Sequence, residues 1–281
     1  MAEIAKSDID AVSEEVVSLM VQEVLTAEAV MPGAVMDYSA QVGPGMDLLK
    51  IPKFQSFTVA DVSDSADLTP ATNTFSTDDL PLSRHKGIGL SVSAIASLQS
   101  KVDAISYYLE QTAKDLAQEM DQAIIDEAEL TSASSPDHRI VYDNNGSDNN
   151  LQKVDILEAI RLLNVQKVPQ TDRFLLVGPG SWKSLLNISE FIRADESGTN
   201  ALQTGQIGKL FGLTCLMSPL AEDLKTLVFH RTHVAFARQK QVTVMREQRA
   251  LGVKEDISVS HLYGKKVLDA GKRGVLLGTA S

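Results

Sequence analysis

The sequence predicts an α+β protein whose parts need neighbours, and three stretches carry that prediction. Residues 98–129 hold an almost unbroken helical stripe of apolar side chains. Residues 151–278 mix helical and strand patterns in a way that suits a packed body. Residues 48–95 set β-forming ends around a long polar middle, which reads as an extended hairpin reaching away from that body.

In chain order, residues 7–30 read as an acidic amphipathic helix, with Ser7 and Asp8 as caps and Val12, Val16, Leu19, Met20 and Val24 needing a partner surface. Pro32-Gly33 and Gly43-Pro44-Gly45 then break the pattern, so the segment is an arm. Within 48–95, LLKIPKFQSFTVADV and IGLSVSAI have strand composition, and the stretch between them is polar and punctuated by Pro70 and Pro81. The stripe at 98–129 runs Leu98, Val102, Ile105, Leu109, Ala113, Leu116, Met120, Ile124, uninterrupted by Gly or Pro. It predicts a spine helix about 45 Å long with one buried face. Asp103, Glu110, Asp115, Glu119 and Asp126 occupy its other face. Residues 131–150 are a polar, turn-rich loop. Beyond it, LQKVDILEAIRLLNVQK is helical, DRFLLVGP a buried strand, and GSWKSLLNISEF a helix. LTCLMSP and TLVFHR follow as strands, HVAFARQK as a short helix, and QVTVMREQ, DISVSHLYG and GVLLGT as strands.

Composition narrows the function classes. The chain has 281 residues, 43% hydrophobic and 22% charged. Apolar runs are too short to span a bilayer, so no membrane partner is expected. The acidic N-terminus does not resemble a signal peptide. Cys215 is the single cysteine, which rules out an internal disulfide and fits a reducing cytoplasm. A net charge of −11 argues against wrapping nucleic acid over the whole surface. The charge is uneven: residues 1–30 carry seven acids against Lys6, and residues 231–273 carry ten bases against four acids. Such ends can attract each other, within a chain or between copies.

No catalytic, cofactor or metal site is expected. GQIGKLFG at 205–212 has the Gly-Lys of a phosphate loop, but Gln203 stands where the first glycine belongs and Leu210 where a Ser or Thr must reach magnesium. Its glycines are read as turn positions and Lys209 as a surface or subunit-contact charge. DNNGSDNN hints at calcium, yet Asp148 and Val154 occupy the places an EF-hand gives to Gly and Glu. His230 and His233 lack a third ligand. Ser181 in GPGSW lacks the glycine pattern of a nucleophile elbow and reads as a helix cap. An acidic arm, a projecting hairpin and a spine helix all need partners, which favours self-assembly over catalysis.

Several stretches, in this order, resemble the major capsid proteins of tailed bacteriophages with the Hong Kong 97-type fold. They are LAQEMDQAIIDEAE, DRFLLVGPGSWKSLL, EFIRADESGTNALQTGQIGKLFGLTCLMSP and VSHLYGKKVLDAGKRGVLL. The family commonly shows an Arg-strand-Pro-helix unit, a Gly-x-Ile-Gly-x-x-x-Gly run into a strand, and a late Tyr-Gly. Here these fall on Arg173, Pro179, Gly205, Ile207, Gly208, Gly212, Tyr263 and Gly264. The resemblance implies an N-terminal arm over 1–45, an extended loop with flanking strands over 46–95, and a peripheral domain with the spine helix over 96–150. It further implies an axial domain over 151–250 and C-terminal strands over 251–281 that return to both domains. Its implied function is a shell of hexamers and pentamers around double-stranded DNA, assembled in the host cytoplasm and residing in the virion. Implied partners are other copies, a separate scaffolding protein, a portal, a decoration protein, and DNA contacted non-specifically. Some family members crosslink through a loop lysine; nothing pairs Lys50, Lys53 or Lys86 with an asparagine and an acid, so no crosslink is expected. Competing readings are an encapsulin-like nanocompartment, a phosphate-ligand enzyme using Gly205–Lys209, and an acidic helical binding module. Deleting 1–30, or replacing 62–84 by a short turn, is expected to leave a soluble domain that no longer assembles.

Overall fold

The structure, a computed structural model, describes Val21 and residues 29–53, 59, 76–93, 104–134, 136–142, 150–187, 209–249 and 254–278. The expected N-terminal helix falls outside these residues except for Val21, Ala29 and Val30, as do the loop from 60 to 75 and the glycines at 205 and 208.

The body centres on a six-stranded sheet. Its strands are β5 (Arg139–Val141), β6 (Arg173–Val177), β7 (Lys209–Leu210), β8 (Leu213–Met217), β9 (Thr226–His230) and β12 (Gly274–Gly278). They lie in the order β5-β12-β9-β6-β8-β7. Every residue of β9 is buried, as are four of five in β6, because side chains cover both faces. On one face, Leu175, Val177, Val228, Val275 and Leu277 pack with helix α3 (Lys153–Val165) and α4 (Pro179–Leu186). On the other, Leu176, Leu227 and Phe229 join the core of helix α2 (Ala104–Ala128). A capping box starts α3, with the Gln152 amide donating to the Asp155 carboxylate at 2.9 Å. Pro179 opens α4 at a position where its missing N–H costs nothing.

A second sheet, in the order β1-β10-β11-β4, lies along α2. It joins β1 (Met36–Asp37), β4 (Arg84–Ser93), β10 (Val234–Arg249) and β11 (Lys254–Val267). The expected stripe is buried throughout its described length, at Leu109, Ala113, Leu116, Met120 and Ile124. It packs against Phe236, Val242, Val244, Ile257, Val259 and Tyr263. The short helix α1 (Met31–Ala34) sits against the same core.

Four expectations are corrected. HVAFARQK is no helix: after one 3-10 turn at Arg231–His233, Val234 opens β10, which also absorbs QVTVMREQ. Val234, Ala235, Phe236 and Ala237 are all buried, so no alternation betrays the strand. The return strand of the hairpin is β3 (Ser76–Pro81), drawn from the polar middle, and it pairs with β2 (Leu48–Lys53). Residues 88–93 of IGLSVSAI instead belong to β4 and pair with β11. Residues 131–150 are more than a loop, since β5 and the buried His138 and Tyr142 lie within them. Finally, 62–84 includes Leu80 and Leu82, which pack with Leu49, Ala235, Ala237 and Leu268. Replacing all of it would strip a core cluster, so the exchange must stop at residue 75.

Candidate functional site

Ser181 lies in the first turn of α4 with its side chain fully buried, and it caps nothing. Its hydroxyl is 2.9 Å from the Tyr142 hydroxyl, which donates to Thr226 Oγ1 at 2.7 Å. Burial pushes the Tyr142 phenol up to about 12, so the three hydroxyls form a neutral joint between β5, α4 and β9. The helix cap is Gly178, where an added Cβ would stand 2.1 Å from the Glu222 carbonyl oxygen. The Asp223 carboxylate accepts from the Gly180 amide at 2.6 Å and satisfies an orphan donor of the helix start.

The glycine-spaced stretch ends in a two-residue turn between β7 and β8, with Leu210 paired to Leu213. Phe211 has φ 48° and Gly212 φ 82°, the signature of a primed type I turn. Gly212 therefore serves as a turn residue. Phe211 holds a left-handed backbone that disfavours bulky side chains by about 1 kcal/mol or more, and its ring is exposed. Lys209 beside it is exposed as well.

The two histidines of HRTH go separate ways. His230 Nδ1 lies 2.8 Å from Thr232 Oγ1, whereas His233 Nε2–H donates to the Ala128 carbonyl at 2.8 Å. Among the described residues no three His, Cys, Asp or Glu side chains converge on a metal position; residues 143–149 lie outside them. Burial pushes the Cys215 thiol up to about 12, which keeps it from acting as a thiolate. Lys50 is exposed, Lys53 pairs with Asp269 at 2.5 Å, and Lys86 pairs with Glu119 at 3.1 Å.

Strand β11 is bonded to α2 through three groups, of which one, Lys265, is a base. The Val267 amide donates to Glu127 Oε1 at 3.0 Å, Lys265 Nζ to the Ala123 carbonyl, and the Tyr263 hydroxyl to Glu119 Oε2 at 2.9 Å. Glu119 thus faces β11 and Lys86 on β4, although its place in the sequence put it on the acidic outer face. His261 is fully buried beside it, with Nε2 3.9 Å from Glu119 Oε2. Desolvation lowers the His261 pKa to about 4, so the ring is neutral near pH 7 and the contact is not an ion pair there. Asp121, two residues further along α2 than Glu119, accepts from the Val30 and Met31 amides.

The matched family positions have physical reasons. Arg173 locks the turn before its own strand, donating to the Pro169 and Val168 carbonyls at 2.7 Å each and to Asn164 Oδ1 at 2.8 Å. At Gly264 an added Cβ would lie 2.4 Å from the Pro81 carbonyl oxygen, so the glycine lets the β2–β3 hairpin root against β11. The sequence singled out none of Asp121, Tyr142 or His261 and gave Glu119 only as an outer-face acid, because each is defined by a partner far along the chain.

Two sheets pack on one long helix, and the polar groups described above are engaged in internal joints. The phage capsid protein family model matches residues 50–270. That span is well over half of the chain, and the chain belongs to the phage capsid protein family. Its role is that of a phage capsid protein, and its place is the virion capsid. Among solved structures it resembles that of Mycobacterium phage Che8, at 23% identity and a TM-score of 0.71, covering 89% of this chain and 90% of that one. The capsid structure of cyanophage P-SCSP1u matches at 16% identity and a TM-score of 0.73, over 90% of this chain and 88% of that one. The mature capsid of bacteriophage PhiM1 matches at 13% identity and a TM-score of 0.69, over 90% and 87%. These place the fold among Hong Kong 97-type capsids. No curated protein matches the chain.

Proposed function

We propose that the chain polymerises into hexamers and pentamers that close an icosahedral shell around double-stranded DNA. The observation that carries this reading is the match to the phage capsid protein family across residues 50–270. A closed shell from one gene product requires a tile that contacts copies of itself through fixed surfaces. We assign residues 1–45 to an arm, 46–95 to an extended loop, 96–150 to a peripheral domain, 151–250 to an axial domain and 251–281 to strands shared by both. Assembly takes place in the host cytoplasm with a separate scaffolding protein, a portal and a decoration protein, and packaged DNA is touched without sequence preference. The chain performs no catalysis in this role.

Negative-stain microscopy of the purified chain, alone and with its neighbouring genes, tests the proposal. Closed shells with hexameric and pentameric rings support it. A chain that remains monomeric under both conditions overturns it. Nuclease-protected duplex DNA inside native particles separates a genome shell from an enzyme-packaging compartment.

A further inference from the structure

The turn from β11 to β12 is left-handed for three residues in a row. Asp269 and Ala270 both have φ 52°, and Gly271 has φ 75°. The backbone closes twice here, with the Gly271 amide donating to the Leu268 carbonyl and the Lys272 amide to the Asp269 carbonyl. Residues with a side chain enter this region singly, because each Cβ crowds the carbonyl that follows it. Gly271 has a local reason to be there, since a side chain would run into the Leu130 carbonyl. Ala270 has none of its own: it is exposed, and its side chain offers no polar atom. Backbone held in so sparse a region needs surroundings that impose it.

The imposing groups come from the β2–β3 hairpin. The Asp269 amide donates to Asp78 Oδ2 of β3 at 3.0 Å. Its carboxylate pairs with Lys53 of β2 at 2.5 Å and with Arg273 at 3.6 Å. Lys53 and Asp78 lie away from the hairpin's apolar root at Leu49, Leu80 and Leu82, so charge holds this end where packing holds the other. The turn they grip is a joint. Among the described residues, the chain passes from a strand of one large sheet directly to a strand of the other at two places, here and at the 3-10 turn Arg231–His233 between β9 and β10. The two links run side by side: the Leu268 amide donates to the His233 carbonyl, and Arg273 Nη1 to Thr232 Oγ1, each at 2.8 Å. The Ser132 amide joins them from the stretch after α2, donating to the Gly271 carbonyl at 3.2 Å.

We propose that the hairpin is a strap across the joint between the two sheets. Seated, Lys53 and Asp78 hold Asp269 left-handed and fix the angle at which the sheets meet. Lifted, they release Asp269 and Ala270 to an ordinary backbone conformation, and the joint turns there. A few residues that change φ and ψ are enough for a hinge. The coupling is reciprocal, so whatever disfavours the left-handed turn also loosens the hairpin. The strap belongs to the single chain and does not rest on the shell reading.

Amide hydrogen exchange on the full chain tests this in both directions. Lys53→Met with Asp78→Ala should speed exchange about tenfold or more at Leu268, Gly271 and Ser132 as well as in β2 and β3, while β6 and β9 keep their protection. Ala270→Val, a β-branched residue that resists positive φ, should speed exchange in β2 and β3 by a similar factor. Ala270→Gly, which accepts that φ freely, should slow it. If the valine variant does not fold, the glycine variant decides alone. Exchange that quickens only within the hairpin in the first variant, or a hairpin indifferent to the changes at Ala270, would overturn the strap.

Discussion

The Asp121 carboxylate accepts hydrogen bonds from the backbone amides of Val30 at 2.9 Å and Met31 at 3.1 Å, across about ninety residues of sequence. It is buried on α2, and it ties the root of the N-terminal segment to the long helix. Burial raises its pKa, and the two amides, which lower it, offset that cost only in part.

Asp121→Ala removes the acceptor and leaves two amides without a partner. It should cost about 1–3 kcal/mol in urea unfolding, with Asp121→Asn losing less because one acceptor oxygen remains. Equal stability of Asp121→Ala and wild type would contradict the anchoring role.

Gly264→Ala would place a methyl group 2.4 Å from the Pro81 carbonyl and 2.9 Å from Leu82 Cδ2. Neither neighbour is free to retreat, since Leu82 packs among Leu49, Leu80 and Leu268. The substitution should destabilise the chain by about 2–3 kcal/mol and shift its thermal midpoint down. A neutral result would show that the hairpin root can move.

Acid should weaken the fold through its buried histidines. The pKa values of His233 and His261 are both lowered from 6.5 to about 4, chiefly by burial. Between pH 6.5 and 4 the unfolded chain takes up protons that the native chain refuses, so stability falls as pH falls. For the fully buried His233 the loss approaches roughly 3 kcal/mol at pH 4. His261→Phe removes one titrating group whose ring nitrogens have no hydrogen-bond partner. Denaturation midpoints from pH 7 to 4 should fall less steeply for this variant, and an unchanged slope would refute the assignment.

Tyr142→Phe leaves the Ser181 and Thr226 hydroxyls without their shared partner. Guanidinium unfolding should report a loss of about 1–2 kcal/mol. Ser181→Ala should lower stability by less, because Tyr142 keeps its bond to Thr226.

Much of this architecture was legible because burial on one face imprints a period. The stripe Leu109, Ala113, Leu116, Met120, Ile124 announced α2, and Ile156, Ala159, Leu162 and Leu163 announced α3. Where both faces are buried, as at Val234–Ala237, the period vanishes and small alanines mimic a helix. β3 was invisible for another reason: STDDLP pairs through its backbone and buries only Leu80. Ser181 was misread because the cap rule is local, whereas its partner Tyr142 lies 39 residues earlier. The family motif could be read residue by residue, but the reason for Gly264 needed the Pro81 carbonyl beside it.

The three bonds from β11 to α2 recur at Tyr263, Lys265 and Val267 on the strand and at Glu119, Ala123 and Glu127 on the helix. Two residues of strand advance about 6.6 Å and four residues of helix about 6 Å. The helix and strand therefore mesh like two racks of nearly equal pitch. Sliding one past the other by less than a full tooth would break all three engagements together, so the tile resists shear along this seam as a unit and carries load along the length of its longest helix.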